Sequence, residues 1–235
     1  MANFILIHGA FQGGWIWKLV ASRLRAEGHH VIVPTLDGCG ERAMHIRPGI
    51  TTESQAQELS KFLWSEDMHN ITLVGASAGG MVIARVAELQ RDRVDRLVFA
   101  DALALFDGEC IRDITGSSHH SVVTDLVTGP TRQDRYDRFI QDMPEDLASW
   151  AADRSTQHPI GCFHEPVILE DFWNQEWKAS VVWCMQARRP GVEHQRRAAD
   201  KLEAKWFELD TGHFPQLSMP DELTRVITTE SPLIR

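Results

Sequence analysis

Short apolar runs alternate along this chain with longer segments in which apolar residues recur every three or four positions. The runs predict buried strands at residues 4–7, 31–33, 71–74, 96–100, 181–184 and 206–209. The longer segments predict helices at residues 15–26, 52–65, 81–89 and 193–204, and a terminal helix that begins near residue 218. Because strands that alternate with helices form parallel sheets covered on both faces, we predict an α/β fold with a mostly parallel sheet of about six strands.

The alternation of strands and helices stops after residue 105 and resumes at residue 178. The segment between them has helical patterns at 132–140 and 145–152, several tryptophans and phenylalanines, and few strand signals. A segment of this length is too long for a simple loop. We therefore expect residues 1–105 and 178–235 to form one core, with residues 106–177 inserted as a helical cap over the carboxyl ends of the strands.

The sequence Gly75-Ala76-Ser77-Ala78-Gly79 lies between a predicted strand and a predicted helix. In that context the Gly-x-Ser-x-Gly pattern predicts a nucleophile elbow, a sharp turn that holds the serine above the edge of the sheet. The structural alternative is a turn of small residues that only lets the helix pack closely on the sheet. We expect Ser77 to be a nucleophile.

A serine hydroxyl needs a neighbouring base to act as a nucleophile at neutral pH. His213 follows the last predicted strand, so its loop should lie at the sheet edge that also carries Ser77. A carboxylate that orients the histidine completes such a triad. Asp101, which ends the fourth predicted strand, is the preferred candidate, and the alternatives are Glu193, Asp210 or a site without an acid.

Composition narrows the classes of partner. The chain has 235 residues, 43% of them hydrophobic, and a formal net charge of -9, which argues against nucleic acid or an anionic membrane as a partner. No apolar stretch approaches the roughly 20 residues of a membrane span, and the first residues show no basic leader, so we expect a cytoplasmic protein. The oligomeric state is not fixed by the sequence, and a homodimer is compatible with it.

The cysteines and histidines show no spacing typical of a metal site. The cysteines are scattered and are expected to be free thiols: Cys39, Cys110, Cys162 and Cys184. The adjacent residues His119 and His120 are expected in a solvated loop, because neighbouring histidines seldom converge on one ion. We predict neither a metal nor a cofactor.

Several of these motifs resemble those of the α/β-hydrolase family. The similarity covers nearly the whole chain and includes the opening segment IHGAFQGGW at 7–15, the helix exit at 28–31, the elbow and Gly212-His213. It points to the small capped branch that contains plant methylesterases, hydroxynitrile lyases and bacterial esterases, and within it to bacterial esterases that cleave aryl carbamates such as carbendazim. The resemblance implies the α/β-hydrolase fold and a cofactor-free serine hydrolase that works through an acyl- or carbamoyl-enzyme.

The resemblance also implies roles outside the triad. The backbone N–H groups of Ala10 and Ala78 would form an oxyanion hole. Phe11, beside that loop, and the aromatic cap suggest a small apolar or aromatic ester, carbamate or amide as substrate. Many relatives carry the acid after the penultimate strand, but residues 184–190 contain no carboxylate. Some members place it after the preceding strand, which favours Asp101.

Other function classes stay open at this point. Hydroxynitrile lyases of this branch carry a lysine just after the histidine, whereas this chain has Phe214. A ligand-binding receptor on the same scaffold would be free to lose the triad, whereas Ser77 and His213 are both present here. Cofactor-independent dioxygenases on this fold are a further, minor alternative.

Overall fold

A parallel sheet of six strands forms the centre of the computed structural model, which describes residues 1–115 and 121–229. The strands in this part of the chain are β1 (Asn3–Ile7), β2 (His30–Ile32), β3 (Ile71–Ala76), β4 (Val94–Ala100), β5 (Val122–Val123), β6 (Val127–Gly129), β7 (His158–Pro159), β8 (Lys178–Cys184) and β9 (Lys205–Leu209). The order in the large sheet is β2-β1-β3-β4-β8-β9, and all neighbours are parallel. The predicted fold class is confirmed.

Helices connect the strands and cover the sheet. In the described residues they are α1 (Lys18–Ala26), α2 (Thr52–Ser65), α3 (Gly79–Leu89), α4 (Ile111–Thr115), α5 (Arg132–Phe139), α6 (Glu145–Arg154), α7 (Gly161–His164), α8 (Val192–Lys201), α9 (Pro215–Ser218) and α10 (Pro220–Thr228). Short 3-10 helices occupy Gly14–Trp17, Gly40–His45 and Phe172–Asn174.

The side chains of the sheet divide between two hydrophobic cores. In β1, Phe4 and Leu6 point into the core that includes α1 and α10, while Ile5 and Ile7 point into the core that includes α2, α3 and α8. This division follows from the two-residue period of a strand. Because both faces are covered, the strands are apolar on both sides, which is why they appear as continuous apolar runs in the sequence.

The segment between β4 and β8 contains more than helices. The helices expected at 132–140 and 145–152 are present as α5 and α6, but β5, β6 and β7 form a separate three-stranded antiparallel sheet. The segment that we expected to be a helical cap therefore also contains a small sheet. These strands have only two or three residues each, which is too short to produce an alternating pattern in the sequence. The limits 106–177 remain our proposed limits of the cap.

The other sequence features have the following places in the structure. All four cysteines are free thiols. His119 and His120 lie outside the described residues. Within residues 1–115 and 121–229, no three side chains of the types that ligate metals converge on one point. None of the described helices combines the length and the apolar character that crossing a membrane requires.

Candidate active site

Ser77 occupies the turn between β3 and α3. Its φ angle is 50°, in the left-handed region that a residue with a side chain adopts only under strain. Its carbonyl oxygen accepts hydrogen bonds from the N–H groups of Gly80, at 3.0 Å, and Leu103, at 2.8 Å. These bonds hold the turn closed, so the position of the serine is set by the backbone.

Small residues on both sides of Ser77 let the turn form. A Cβ atom at Gly75 would lie 2.6 Å from the carbonyl oxygen of Gly79, and one at Gly79 would lie 2.6 Å from the carbonyl oxygen of Ile7. Both distances are shorter than van der Waals contact allows. The glycines of the Gly-x-Ser-x-Gly pattern therefore have a steric reason in the fold, and the strand–turn–helix context expected for an elbow is present.

His213 is hydrogen bonded to Asp101. The Nδ1 atom of His213 lies 2.5 Å from Oδ2 of Asp101, which is fully buried and directly follows β4. Because a carboxylate oxygen accepts a hydrogen bond, the geometry favours the tautomer with hydrogen on Nδ1. The Nε2 atom is then the nitrogen that is able to accept a proton from another group.

The remaining lone pairs of Asp101 also face donors. Its Oδ1 atom accepts from the backbone N–H of Cys184 at 3.3 Å and from Nε2 of Gln195 at 3.5 Å. Gln195 is itself buried and donates to the carbonyl oxygen of Ala102 at 3.2 Å. Burial of a carboxylate lowers the stability of the folded protein unless such donors surround it. Gln195 could not be identified from the sequence, since an amide in a predicted amphipathic helix has no distinguishing pattern.

The two alternative carboxylates lie elsewhere. Glu193 is exposed in the first turn of α8 and has no hydrogen bond to any residue in the described part of the chain. Asp210 is also exposed, and its carboxylate accepts from Nε2 of Gln186 at 2.9 Å. Of the three candidates, Asp101 is the one hydrogen bonded to His213. Its role as the acid of a triad stays a prediction.

The loop after β1 lies directly against the elbow. A Cβ atom at Gly9 would lie 2.7 Å from the Cβ atom of Ser77, so only glycine allows this approach. The N–H groups of Ala10 and Ala78 have no hydrogen-bond partner among residues 1–115 and 121–229. Two free donors beside a serine are the arrangement that an oxyanion hole requires, and this role also stays a prediction.

Backbone hydrogen bonds of Phe11 connect this loop to the cap. Its φ angle is 68°, which is unusual for a bulky residue. Its carbonyl oxygen accepts from the N–H of Thr156 at 2.9 Å, and its own N–H donates to Nδ1 of His158 at 3.4 Å. The Phe11 ring is stacked on Phe163 with the centroids 5.7 Å apart. Tertiary contacts with the segment after α6 therefore hold the strained conformation.

Five of the six predicted site residues line one cavity of about 570 Å³: Ala10, Phe11, Ser77, Ala78 and His213. The sixth, Asp101, is buried behind His213. The structure thus gathers residues that are as far apart in the sequence as 10 and 213. A cavity of this size lies within the range of about 300–1,000 Å³ that is typical of small-molecule sites.

The cap contributes charged residues to the same cavity that the sequence analysis did not single out. Arg135, Arg138 and Asp142 come from α5 and the turn after it. Their spacing of three and four residues places them on one side of a helix, but the sequence does not tell which side of a cap helix faces the site. A Cβ atom at Gly212 would overlap the Asp142 carboxylate, so glycine lets the cap approach the loop of His213. Burial raises the pKa of the Asp142 carboxyl, and the fields of His213 and Arg138 oppose this shift.

Residues 4–226 match the profile of the Alpha/beta hydrolase family. The chain belongs to this family. It is 32% identical to the carbendazim hydrolyzing esterase of Nocardioides sp. (strain SG-4G) over 179 residues, which cover 72% of this chain and 74% of that protein. It is also 32% identical to the alpha-hydroxynitrile lyase of Arabidopsis thaliana over 101 residues, 43% of this chain and 39% of the lyase. Methylesterases of Arabidopsis thaliana are further relatives.

Solved structures of this family have the same fold. An extracellular alpha/beta-hydrolase from a Paenibacillus species superimposes with a TM-score of 0.86, covering 97% of this chain and 98% of that one at 21% identity. At this level of identity the similarity shows the fold alone. The predicted family is confirmed, and esterases are among the relatives of this α/β hydrolase.

Proposed function

We propose that this α/β hydrolase is a cofactor-free serine esterase that cleaves a small apolar or aromatic ester or carbamate. One observation carries the proposal: Ser77 and His213 line the same cavity, and His213 is hydrogen bonded to the buried Asp101. A serine, a histidine and a buried carboxylate are the three groups of a hydrolytic triad, and we assign these roles to Ser77, His213 and Asp101. The similarity to an esterase named for carbendazim hydrolysis supports the reaction class.

The proposed reaction begins at Ser77. Its Oγ atom attacks the carbonyl carbon of the substrate while Nε2 of His213 takes the hydroxyl proton. The imidazolium that results keeps its Nδ1–H on Asp101, and the buried carboxylate stabilises the new positive charge. A short hydrogen bond in a dry environment suits this role, because electrostatic interactions are stronger there than in water.

The negative charge that develops on the carbonyl oxygen needs donors as well. The free N–H groups of Ala10 and Ala78 would donate to it, one from the loop after β1 and one from the turn before α3. The bond to the leaving group then breaks, and His213 gives its proton to the departing oxygen. Water attacks the acyl- or carbamoyl-Ser77 in the same way, releases the acid and regenerates the serine.

The walls of the cavity support an aromatic substrate. Phe11 and Phe163 form a stacked pair at the cavity surface, next to the loop that carries Ala10. A flat aromatic group that packs on them would gain from apolar burial and from ring contacts. In this arrangement the reacting carbonyl group and the apolar part of the substrate would lie in one cavity.

The experiment that tests this proposal compares hydrolysis of a neutral aryl ester, p-nitrophenyl acetate, by the parent and by Ser77→Ala. We expect the substitution to lower turnover by about a millionfold, down to the background rate, because the nucleophile is lost. Ser65→Ala is the matched control, since Ser65 is exposed at the end of α2. A folded Ser77→Ala protein with parental turnover would refute the proposal. A folded parent protein that binds the ester without cleaving it would favour a receptor.

A further inference from the structure

Arginines outnumber acidic residues in the lining of the cavity. The cavity is lined by Arg135, Arg138, Arg188 and Arg189, against the two acids Asp134 and Asp142. The chain as a whole carries a formal net charge of -9, so a local excess of positive charge is opposite to its average. A cleft lined by one sign of charge attracts ligands of the other sign.

Arg138, Arg188 and Arg189 all have side-chain donors without a partner among the described residues, and of these three Arg138 is the one that lies over Phe214, next to His213. The residue is exposed, and its guanidinium group forms no hydrogen bond or ion pair with any residue of 1–115 and 121–229. The guanidinium group lies over the ring of Phe214, with its Cζ atom 5.2 Å from the ring centroid. Asp142 affects it through its electric field without pairing with it. A guanidinium group in this state has several N–H groups ready for a carboxylate, which it binds in a two-pronged geometry.

Arg135 adds a second, buried positive charge to the lining of the cavity. Its Nη1 atom donates to the carbonyl oxygen of Ser155 at 2.7 Å, whereas Nε and Nη2 are buried without a partner among the described residues. A buried cation without an opposite charge nearby lowers the stability of the folded protein, because it loses its hydration. An anion bound at Arg138 would offset part of this cost through its field.

The place of Arg138 indicates which end of the substrate it would meet. Phe214, under the guanidinium group, directly follows His213, and the two rings are 5.2 Å apart. In the proposed reaction His213 delivers the proton to the leaving group, so the leaving group departs on the side of the histidine. The arginine therefore lies near the leaving group, while the oxyanion loop and Phe11 lie near the carbonyl carbon.

From these contacts we infer that the alcohol or phenol released by the enzyme carries a carboxylate, and that Arg138 binds it. The inference rests on the proposed serine esterase function and adds the substrate class. The bond between the carbonyl carbon and the leaving oxygen breaks, His213 protonates that oxygen, and the carboxylate stays ionised on Arg138 throughout. Because the anion is remote from the reacting atoms, Arg138 acts in substrate binding and specificity.

The test uses two esters that differ only in charge, p-carboxyphenyl acetate and its neutral amide, p-carbamoylphenyl acetate. We expect Arg138→Gln to lower kcat/KM for the carboxylate ester by about 10- to 100-fold, the value of a charged hydrogen bond, and to lower it much less for the amide ester, because the neutral amide oxygen accepts a weaker hydrogen bond. Arg138→Lys should recover part of the loss, because the charge remains and the two-pronged geometry is lost. Arg154→Gln is the matched control, since that cap arginine also lies over an aromatic ring, Trp150, but does not line the cavity.

Two outcomes would overturn the inference while leaving the esterase proposal intact. The first is an equal effect of Arg138→Gln on both esters, or none on either. The second is a greater effect on p-nitrophenyl succinate, whose carboxylate lies on the acyl side, than on p-carboxyphenyl acetate. Failure of the parent protein to hydrolyse any of the three esters would instead count against the serine esterase function itself.

Discussion

Asp101 shows how single residues determine this site. Its side chain is fully buried, its φ angle is 46°, and its two oxygens accept from His213, Cys184 and Gln195. The left-handed backbone turns the carboxylate away from β4 and toward the loop of His213. A buried carboxylate with this set of donors serves to orient and stabilise a neighbouring imidazole.

We therefore predict that Asp101→Asn lowers esterase turnover by roughly ten-thousandfold, because an amide next to Nδ1 favours the wrong histidine tautomer. Turnover of p-nitrophenyl acetate measures this effect, and a melting curve shows whether the variant is folded. Glu193→Gln is the control and should retain parental turnover, since Glu193 is exposed. An inactive Glu193→Gln variant beside an active Asp101→Asn variant would transfer the role to Glu193.

Much of the site could be predicted at the level of residues. Ser77, Asp101 and His213 each follow a strand, and parallel strands bring their carboxyl ends to one edge, so position along the chain was informative. Arg138 lies in α5 and Asp142 in the turn after it, and which side of that helix faces the site depends on tertiary packing. That information is not present in the local pattern, and so these residues were missed.

At the level of elements, the site depends on how closely the loop after β1 approaches the turn between β3 and α3. The Cβ position of Gly9 is 2.7 Å from Cβ of Ser77, which leaves no room for a methyl group. Any side chain there has to push the serine or the loop out of place. A shift of about 1 Å in a reacting group is enough to cost about a hundredfold in rate.

We predict that Gly9→Ala lowers turnover at least about tenfold and also lowers the melting temperature, because the crowding affects both the serine and the sheet edge. Gly191→Ala is the matched control: Gly191 precedes α8 with a φ angle of -70°, and a Cβ atom there meets nothing within 4 Å. Parental turnover of Gly9→Ala would show that the approach of the loop is not important for catalysis.

Most strands and helices of the large sheet were predicted from their apolar patterns, whereas the ends of helices were predicted less well. The run at 71–74 lies within β3, and the segment 81–89 lies within α3. The helix predicted at 193–204 ends earlier, at Lys201, because Glu203 adopts a left-handed φ of 47°, while the apolar residues Leu202 and Ala204 continue the pattern. The sheet β5-β6-β7 was missed because its strands have only two or three residues each.

At the level of the whole molecule, two buried histidines link distant parts of the fold in their neutral form. Nε2 of His8 accepts from the N–H of Leu36 at 3.0 Å, and Nε2 of His194 accepts from the N–H of Ala104 at 3.0 Å. Burial lowers the pKa of each to about 4, from 6.5 in an unfolded chain, and Arg197 contributes to the shift at His194. Protonation would remove both acceptors.

These shifts predict a loss of stability in acid. Because the pKa values are lower in the folded state, the unfolded chain binds more protons below pH 6.5. The contribution of each histidine is complete above that pH and is lost as the pH falls toward about 4. We expect the free energy of unfolding in urea to fall by about 2 kcal/mol per histidine between pH of about 7.5 and about 5.

His194→Gln tests the assignment, because a side chain that does not titrate should make the fall smaller. The exposed His45→Gln is its control and should leave the dependence on pH as in the parent. An unfolding free energy that stays constant or rises between these two pH values would contradict the interpretation.

The central claim is that Ser77 is a nucleophile activated by His213. It is tested most directly by reaction with a fluorophosphonate probe, followed by mass spectrometry of the protein and of its peptides. We expect one adduct, on Ser77, which is absent in Ser77→Ala and forms far more slowly in His213→Ala. An active esterase that remains unlabelled, or one in which the adduct lies on another residue, would contradict it.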